Sequence, residues 1–282
     1  MRHAIERLAA AACCVVGLLA SIPSHAETTW QRIQRTGEVR IGYANEVPFA
    51  YSDLKGKVTG ESPEIAKVVF ACLGIPHVKA ILTEWGALIP GLQANRFDVI
   101  AAGMYITPDR MQQVLFADPH YQLDDTLLVR KGNARKLHSF ADIARDPTLK
   151  LAVMAGTVEY DYAIKGGVAP EQILQVPNTI AQFQAVKTQR AHAAVGTRLT
   201  MKDMASKSKG RLEAVEVFHD DPAHMGYGAL AFRKEDQDLR DAVNEALQSW
   251  VGSEAHLRTI APFGFDRRNL TQKKLADFEV QP

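Results

Sequence analysis

The chain has 282 residues, 46% of them hydrophobic, and a formal net charge of +1. That length supports one or two ordinary domains with buried cores. The balanced charge gives no basic excess for nucleic acid or an anionic membrane surface, and three cysteines are too few for a disulfide framework.

The first element is a leader. Arg2 and Arg7 form a basic start, Leu8 to Ala20 is apolar, and Ser24-His25-Ala26 ends in the small-x-small pattern of signal-peptidase cleavage. The run is short for a membrane span. Lipid attachment at Cys13 would leave only a stub of apolar segment, so simple cleavage ranks above it. Removing 26 of 282 residues leaves 256, with 31 basic and 31 acidic residues. Cys72 is then the only thiol, expected as buried packing in VVFACLGI.

Trp30 to Arg35 reads as a short helix and Glu38 to Gly42 as a first strand. Tyr43 to Tyr51 is a polar-aromatic loop beyond it. Gly60 to Leu73 is an amphipathic helix with Pro63 near its start and Gly74 as its stop. Glu61 and Glu64 are expected to be solvated there, suiting the helix dipole. Val78 to Thr83 is a second strand with Glu84 and Trp85 at its end, and a helix follows from Ala87. Val99 to Ala102 suits a strand buried on both faces, ended by Gly103.

Past that strand come Tyr105, Thr107 and Arg110. Open parallel sheets bind ligands at the carboxyl ends of their strands. A guanidinium there matches the two oxygens of a carboxylate. The plainer alternative has Thr107 as N-cap, Pro108 at the first helical position and Arg110 solvated.

A second block repeats the pattern. Thr126 to Arg130 is a strand, Phe140 to Ile143 a short helix, and Leu149 to Met154 a buried strand ending in Ala155-Gly156-Thr157. Val158 to Lys165 is the next helix, and backbone N–H groups at such a start favour an anion. Ile173 to Val176, Ile180 to Thr188 and Ala193 to Val195 read as strand, helix and strand. Gly226 to Phe232 is a strand and Leu239 to Val251 an amphipathic helix. The order is that of an α/β protein with two blocks. The strands near 126–130 and 228–232 are placed to be two crossings of one hinge. Asp124-Asp125 is expected as a surface pair there. His219, Asp220, Asp221 and His224 share one polar loop without clean ligand spacing, so a metal reading is set aside.

The pieces IGYANEVPFAY, LTEWGALIPGLQANRFDVIAAGMYITPDR and VMAGT resemble the family 3 periplasmic solute-binding proteins of ABC importers, nearest to the ectoine/hydroxyectoine-binding branch. The resemblance implies a type II periplasmic binding fold. Two α/β lobes, residues 27–128 plus 229–282 and residues 129–228, would close over one small solute. It implies a periplasmic monomer with no cofactor, no metal and no catalysis, whose partners are a zwitterionic solute and the permease. By the same resemblance Phe49, Trp85 and Tyr105 form an aromatic cage and Glu46 is the partner of the solute's cation. Arg110, with Thr107 beside it, holds the carboxylate, and Gly156 and Thr157 form the second lobe's turn. Tyr105 and Trp85 depart from the residues expected in the branch but keep an aromatic face.

General amino-acid binders of the family carry aspartates in a phrase like GRVDAVLVD. Here His192 and Thr197 stand in their places, and a hydroxyl is a poor counter-ion for a primary ammonium. A polar amino-acid or opine-type ligand is the alternative. A cyclohexadienyl dehydratase-like enzyme is the third reading, for which Glu46 is the one evident acid or base.

Overall fold

The computed structural model describes residues 26–278, so the expected signal peptide at 1–26 lies, but for Ala26, outside the described residues. The first lobe opens with α1 (Thr29–Thr36), fixed by a capping box of Thr28 and Gln31. Strand β1 (Glu38–Tyr43), the small hairpin of β2 (Tyr51–Ser52) and β3 (Val58–Thr59), helix α2 (Glu61–Cys72) and strand β4 (His77–Leu82) follow. A 3-10 turn at Trp85–Ala87 leads into α3 (Leu88–Gln93), then β5 (Val99–Tyr105), α4 (Pro108–Gln113), β6 (Leu115–Phe116) and β7 (Tyr121–Leu123).

The second lobe contains β8 (Asp125–Arg130), α5 (Phe140–Ala144), β9 (Leu151–Met154), α6 (Glu159–Lys165), β10 (Ile173–Val176), α7 (Thr179–Lys187), β11 (Ala193–Thr197), α8 (Arg198–Lys207) and β12 (Leu212–Ala214). The chain returns through β13 (Gly226–Phe232) and ends on α9 (Gln237–Trp250) and α10 (Glu254–Ile260).

The two sheets have the orders β4-β1-β5-β13-β6, with β7 also on β13, and β10-β9-β11-β8-β12. In each, three parallel strands meet an antiparallel strand at the hinge side. Strand β5 is buried at all seven positions because both its faces are covered. Val99, Ala101 and Tyr105 face one core, and Ile100, Ala102 and Met104 the other, as period-two alternation requires. Strand β8 divides likewise, with Leu127 and Val129 on one side and Leu128 on the other. Under the first lobe Asp98, fully buried, receives Arg32 and Arg40 at 2.6 Å each.

Several expectations are corrected. The lobe limits expected at 128/129 and 228/229 fall inside strands. Sheet membership puts the crossings at Asp124, between β7 and β8, and between Ala214 and Gly226. Gly103 does not end its strand: its φ of +74° accommodates a bulge, and pairing with β13 resumes at Met104 and Tyr105. Cys72 is exposed, at the solvent end of α2. Glu61 is fully buried, 3.2 Å from the His120 ring, because the α2 start tucks under the first sheet; Glu64 pairs at 2.7 Å with Lys67. Asp124 is gripped by Arg198, and Asp125 is buried rather than on the surface. Helix α8 and strand β12 were not anticipated. Asp220 pairs with His224 at 2.7 Å, and His224 stacks on Tyr162 at 3.7 Å.

Candidate functional site

The ends of β1 and β5 carry their loops toward the second lobe. After β1 the chain turns through a cis Val47–Pro48 bond, and an antiparallel bridge joins Glu46 to Ala50. This turn presents Glu46 and Phe49 to the space between the lobes. The 3-10 turn presents Trp85, and β5 runs on into Tyr105. Thr107 caps α4, its hydroxyl accepting the Arg110 N–H at 3.3 Å. Thr107 therefore fills the plainer of its two roles and is not in the cavity wall.

One cavity gathers most of the remaining candidates. Glu46, Phe49, Trp85, Tyr105, Arg110, Thr157 and Thr197 line it, and so do Gly103, Met154, Val158 and Glu159. Its empty volume is about 320 Å³, including the part open at its mouth. In this closed arrangement the cavity is small and suits a small solute.

The aromatic wall is rigid. Tyr121 is its hub, with ring centroids 5.5 Å from Phe49 and 6.3 Å from Tyr105; Phe265 closes on Phe49 at 5.6 Å. Tyr121 is held by donation to the Gly103 carbonyl at 2.7 Å. Phe49 lies against Gly103, where an added Cβ would meet the ring at 2.4 Å, so glycine is needed for that approach as well as for its backbone angle. Phe49 and Tyr105 thus belong to the first-lobe core and to the cavity wall at once, while Trp85 packs in the other core layer.

Arg110 is 8% exposed. Its Nη1 donates to the Tyr105 carbonyl at 2.9 Å and its Nη2 to the Gly156 carbonyl at 3.2 Å, and its guanidinium lies 5.7 Å from the Trp85 ring centroid. Burial lowers its pKa, opposed by the charge of Glu159. Trp85 Nε1 also donates to the Gly156 carbonyl, at 3.1 Å. Gly156 is therefore not a cavity-lining residue; its carbonyl is the point where two first-lobe side chains hold the second lobe. With φ at +82° and a would-be Cβ only 3.0 Å from Gly86, no other residue fits that approach.

Further bonds join the lobes. The Thr200 hydroxyl lies within donating distance of Glu46 Oε1 (2.9 Å) and the Val47 carbonyl (3.0 Å), and Thr197 donates to it at 2.9 Å. Thr179 reaches the Asn45 carbonyl at 3.4 Å. The lobes are closed on each other.

Burial pushes the Glu46 carboxyl up to about 8, helped by the charge of Glu159 and opposed by the Thr200 hydrogen bond. Burial also raises Glu159, against the Thr157 hydroxyl, its own backbone N–H and Arg110. Asp125 is raised well above its ordinary value by burial and then by Glu159, Asp220, Asp124 and Glu46. Glu159, Asp125, Tyr121 and Thr200 were missed from sequence. Glu159 has the pattern of any first-turn helix carboxylate, and nothing local marks it as turned inward. His192, in the place of a family aspartate, accepts the Lys150 N–H at 2.9 Å and stays outside the cavity wall.

Two lobes, each with a mostly parallel sheet, joined by crossing segments and meeting over one small polar-aromatic cavity, define a solute-binding architecture. Residues 39–257 match the bacterial extracellular solute-binding proteins, family 3, and the chain belongs to that family. It is 35% identical over 243 residues to a probable amino-acid ABC transporter periplasmic-binding protein, y4tE, of Sinorhizobium fredii, covering 84% of this chain and 80% of that protein. The crystal structure of EhuB in complex with hydroxyectoine is similar with a TM-score of 0.80 and 32% identity, over 86% of this chain and 94% of that one. The ancestral amino acid-binding protein AncCDT-1, a precursor of cyclohexadienyl dehydratase, is similar with a TM-score of 0.73 and 30% identity, over 84% and 99%. Among the described residues no helix is long and apolar enough to cross a membrane.

Proposed function

We propose that this protein is exported to the periplasm, where as a non-catalytic monomer it closes over a small zwitterion of the ectoine type and delivers it to an ABC permease. The observation that carries this reading is the joint placement of Phe49, Trp85, Tyr105, Glu46 and Arg110 around one cavity. A delocalised cation is weakly hydrated, so aromatic faces replace its water at small cost, with roughly 0.5–2 kcal/mol from each desolvated cation–π contact. Glu46 supplies the opposite charge. Arg110 has both Nη atoms anchored on carbonyls, which fixes the guanidinium for a carboxylate at the far end. Thr157 and Thr197 offer hydroxyls from the second lobe. Because residues of both lobes line the cavity, a bound solute favours the closed state through its differential contacts. The hydroxyectoine complex of EhuB supports this choice of ligand class.

Calorimetric titration with ectoine and hydroxyectoine tests it. Saturable binding of either is expected; no heat and no thermal stabilisation with both refutes the ligand class.

A polar amino acid or opine is the second reading, supported by the amino-acid binding named for the Sinorhizobium relative. Binding of arginine or glutamine without ectoine binding would establish it. The enzyme reading draws on the described ancestor of a dehydratase and on two buried cavity carboxyls with raised pKa values. Product formed from prephenate or arogenate would establish that one.

A further inference from the structure

We propose that Glu159 is a second counter-charge for the solute, so that the bound cation donates N–H hydrogen bonds to both lobes, to Glu46 of the first and Glu159 of the second. This rests on the solute-binding reading above and sharpens which cations the cleft accepts.

Glu159 is the first residue of α6 and stands 6% exposed in the cavity wall. Its Oε2 is buried without a hydrogen-bond partner. A first-turn glutamate that served only the helix dipole would face water; this one faces the cavity. Arg110 does not neutralise it by contact, since its Nη atoms point at the Tyr105 and Gly156 carbonyls. Behind it, Asp125 on β8 has both carboxylate oxygens buried and unpartnered. The cavity wall thus holds two carboxyls from opposite lobes against one guanidinium, and an occupant without an N–H on that side would leave Glu159 Oε2 without a donor.

A buried acceptor without a donor is costly, more so when charged. The occupant must therefore bring donors on two sides. A protonated amidine or guanidine does so, because its charge is spread over N–H groups that point apart. A quaternary ammonium carries the same charge and no N–H, and would seal both carboxyls away unpaired. The cleft accordingly selects zwitterions whose cation carries at least two N–H bonds and rejects betaines.

The groups facing Glu159 fix the proton bookkeeping. They are Glu46 from the β1 loop, Tyr105 and Arg110 from the first lobe, Tyr162 from its own helix and Asp125 from β8, itself facing Asp124 and Asp220. Burial raises the Glu46 carboxyl to about 8 and also raises Glu159, so a cation held between them favours both carboxylates and draws a proton off Glu46.

The test is calorimetry at pH 7 in phosphate and in Tris, with wild type and Glu159→Gln, using ectoine, arginine and glycine betaine as probes. Ectoine is expected to bind wild type with net proton release. Glu159→Gln is expected to bind it at least tenfold more weakly and to release fewer protons, since Glu46 loses the neighbouring charge that raises it. Glycine betaine is expected not to bind. An unchanged affinity and proton release in Glu159→Gln overturns the proposal while leaving the ectoine reading intact; so does glycine betaine binding as tightly as ectoine. If wild type binds arginine and not ectoine, the ligand reading fails, and the same comparison is made with arginine: a tenfold loss supports the clamp and no loss overturns it. The thermal midpoint of solute-free Glu159→Gln, expected at or above wild type, separates a binding defect from a folding one.

Discussion

Replacing Arg110 by alanine tests the anionic end of the site. The guanidinium is nearly buried, and its environment is set by two carbonyl acceptors and the Trp85 face. With the solute in place, its carboxylate would lie in the same dry cavity. Truncating one partner of such a buried charge pair costs about 2–5 kcal/mol, much of it the penalty on the charge left behind. At 1.4 kcal/mol per tenfold, the lower limit already weakens binding about 30-fold. The solute-free protein changes less, because the two lost carbonyl bonds, each about 0.5–1.5 kcal/mol, are offset by removing a buried charge. The assay is a cycle of wild type and Arg110→Ala against ectoine and its neutral carboxamide, read by calorimetry. A coupling of at least about 1 kcal/mol between residue and carboxylate is expected. Equal losses for acid and amide would refute the pairing.

The other predictions probe separate parts. Glu46 is raised from 4.5 to about 8, so the folded protein holds its proton more firmly than the unfolded chain does. Its burial therefore costs nothing below about pH 4.5, and the cost grows as pH climbs through 8. Glu46→Gln should melt with wild type at pH 4.5 and about 2–4 °C above it at pH 8, for each kcal/mol relieved, while losing solute affinity; a pH-independent difference would contradict the burial argument. Trp85→Phe keeps the ring and removes the bond to the Gly156 carbonyl, so the dissociation constant should rise roughly 2- to 10-fold, mostly through faster release. Gly103→Ala forces the Phe49 ring aside at a strained backbone angle, and should both destabilise the fold by about 1–3 kcal/mol, seen as a lower melting midpoint, and weaken binding. Asp98→Asn breaks the buried cluster with Arg32 and Arg40. It should cost about 3–5 kcal/mol in denaturant unfolding and leave solute affinity unchanged. Although burial opposes it, the Arg40 and Arg32 hydrogen bonds hold the Asp98 carboxyl below 3.8. Wild type should therefore lose this contribution only as pH falls below that value.

The alternation and buried runs of β1, β5, β9 and β11 were legible because a strand covered on both faces has little choice of residue. The cavity wall was legible where its residues lie at or just past strand ends, as Glu46, Phe49, Trp85, Tyr105 and Arg110 do. Three kinds of fact were not. Glu61, Glu159 and Asp125 look like surface carboxylates in one dimension, and only the packing of one element on another buries them. Helix α8 carries Arg198, Thr200, Lys202 and Asp203 among its first six residues, so its buried apolar stripe is reduced largely to Met201 and Met204. The lobe limit at 128/129, implied by the resemblance, falls inside β8, whose pairing to β11 begins at Asp125, and no residue of the Asp124-Asp125 pair marks the crossing in one dimension.

A structure of the protein crystallised with saturating ectoine tests the central claim most directly. It should place the amidinium ring within about 6 Å of the Phe49, Trp85 and Tyr105 ring centroids, with the carboxylate in hydrogen-bond contact with Arg110. A cleft left empty, or a solute turned end for end with its carboxylate away from Arg110, would contradict it.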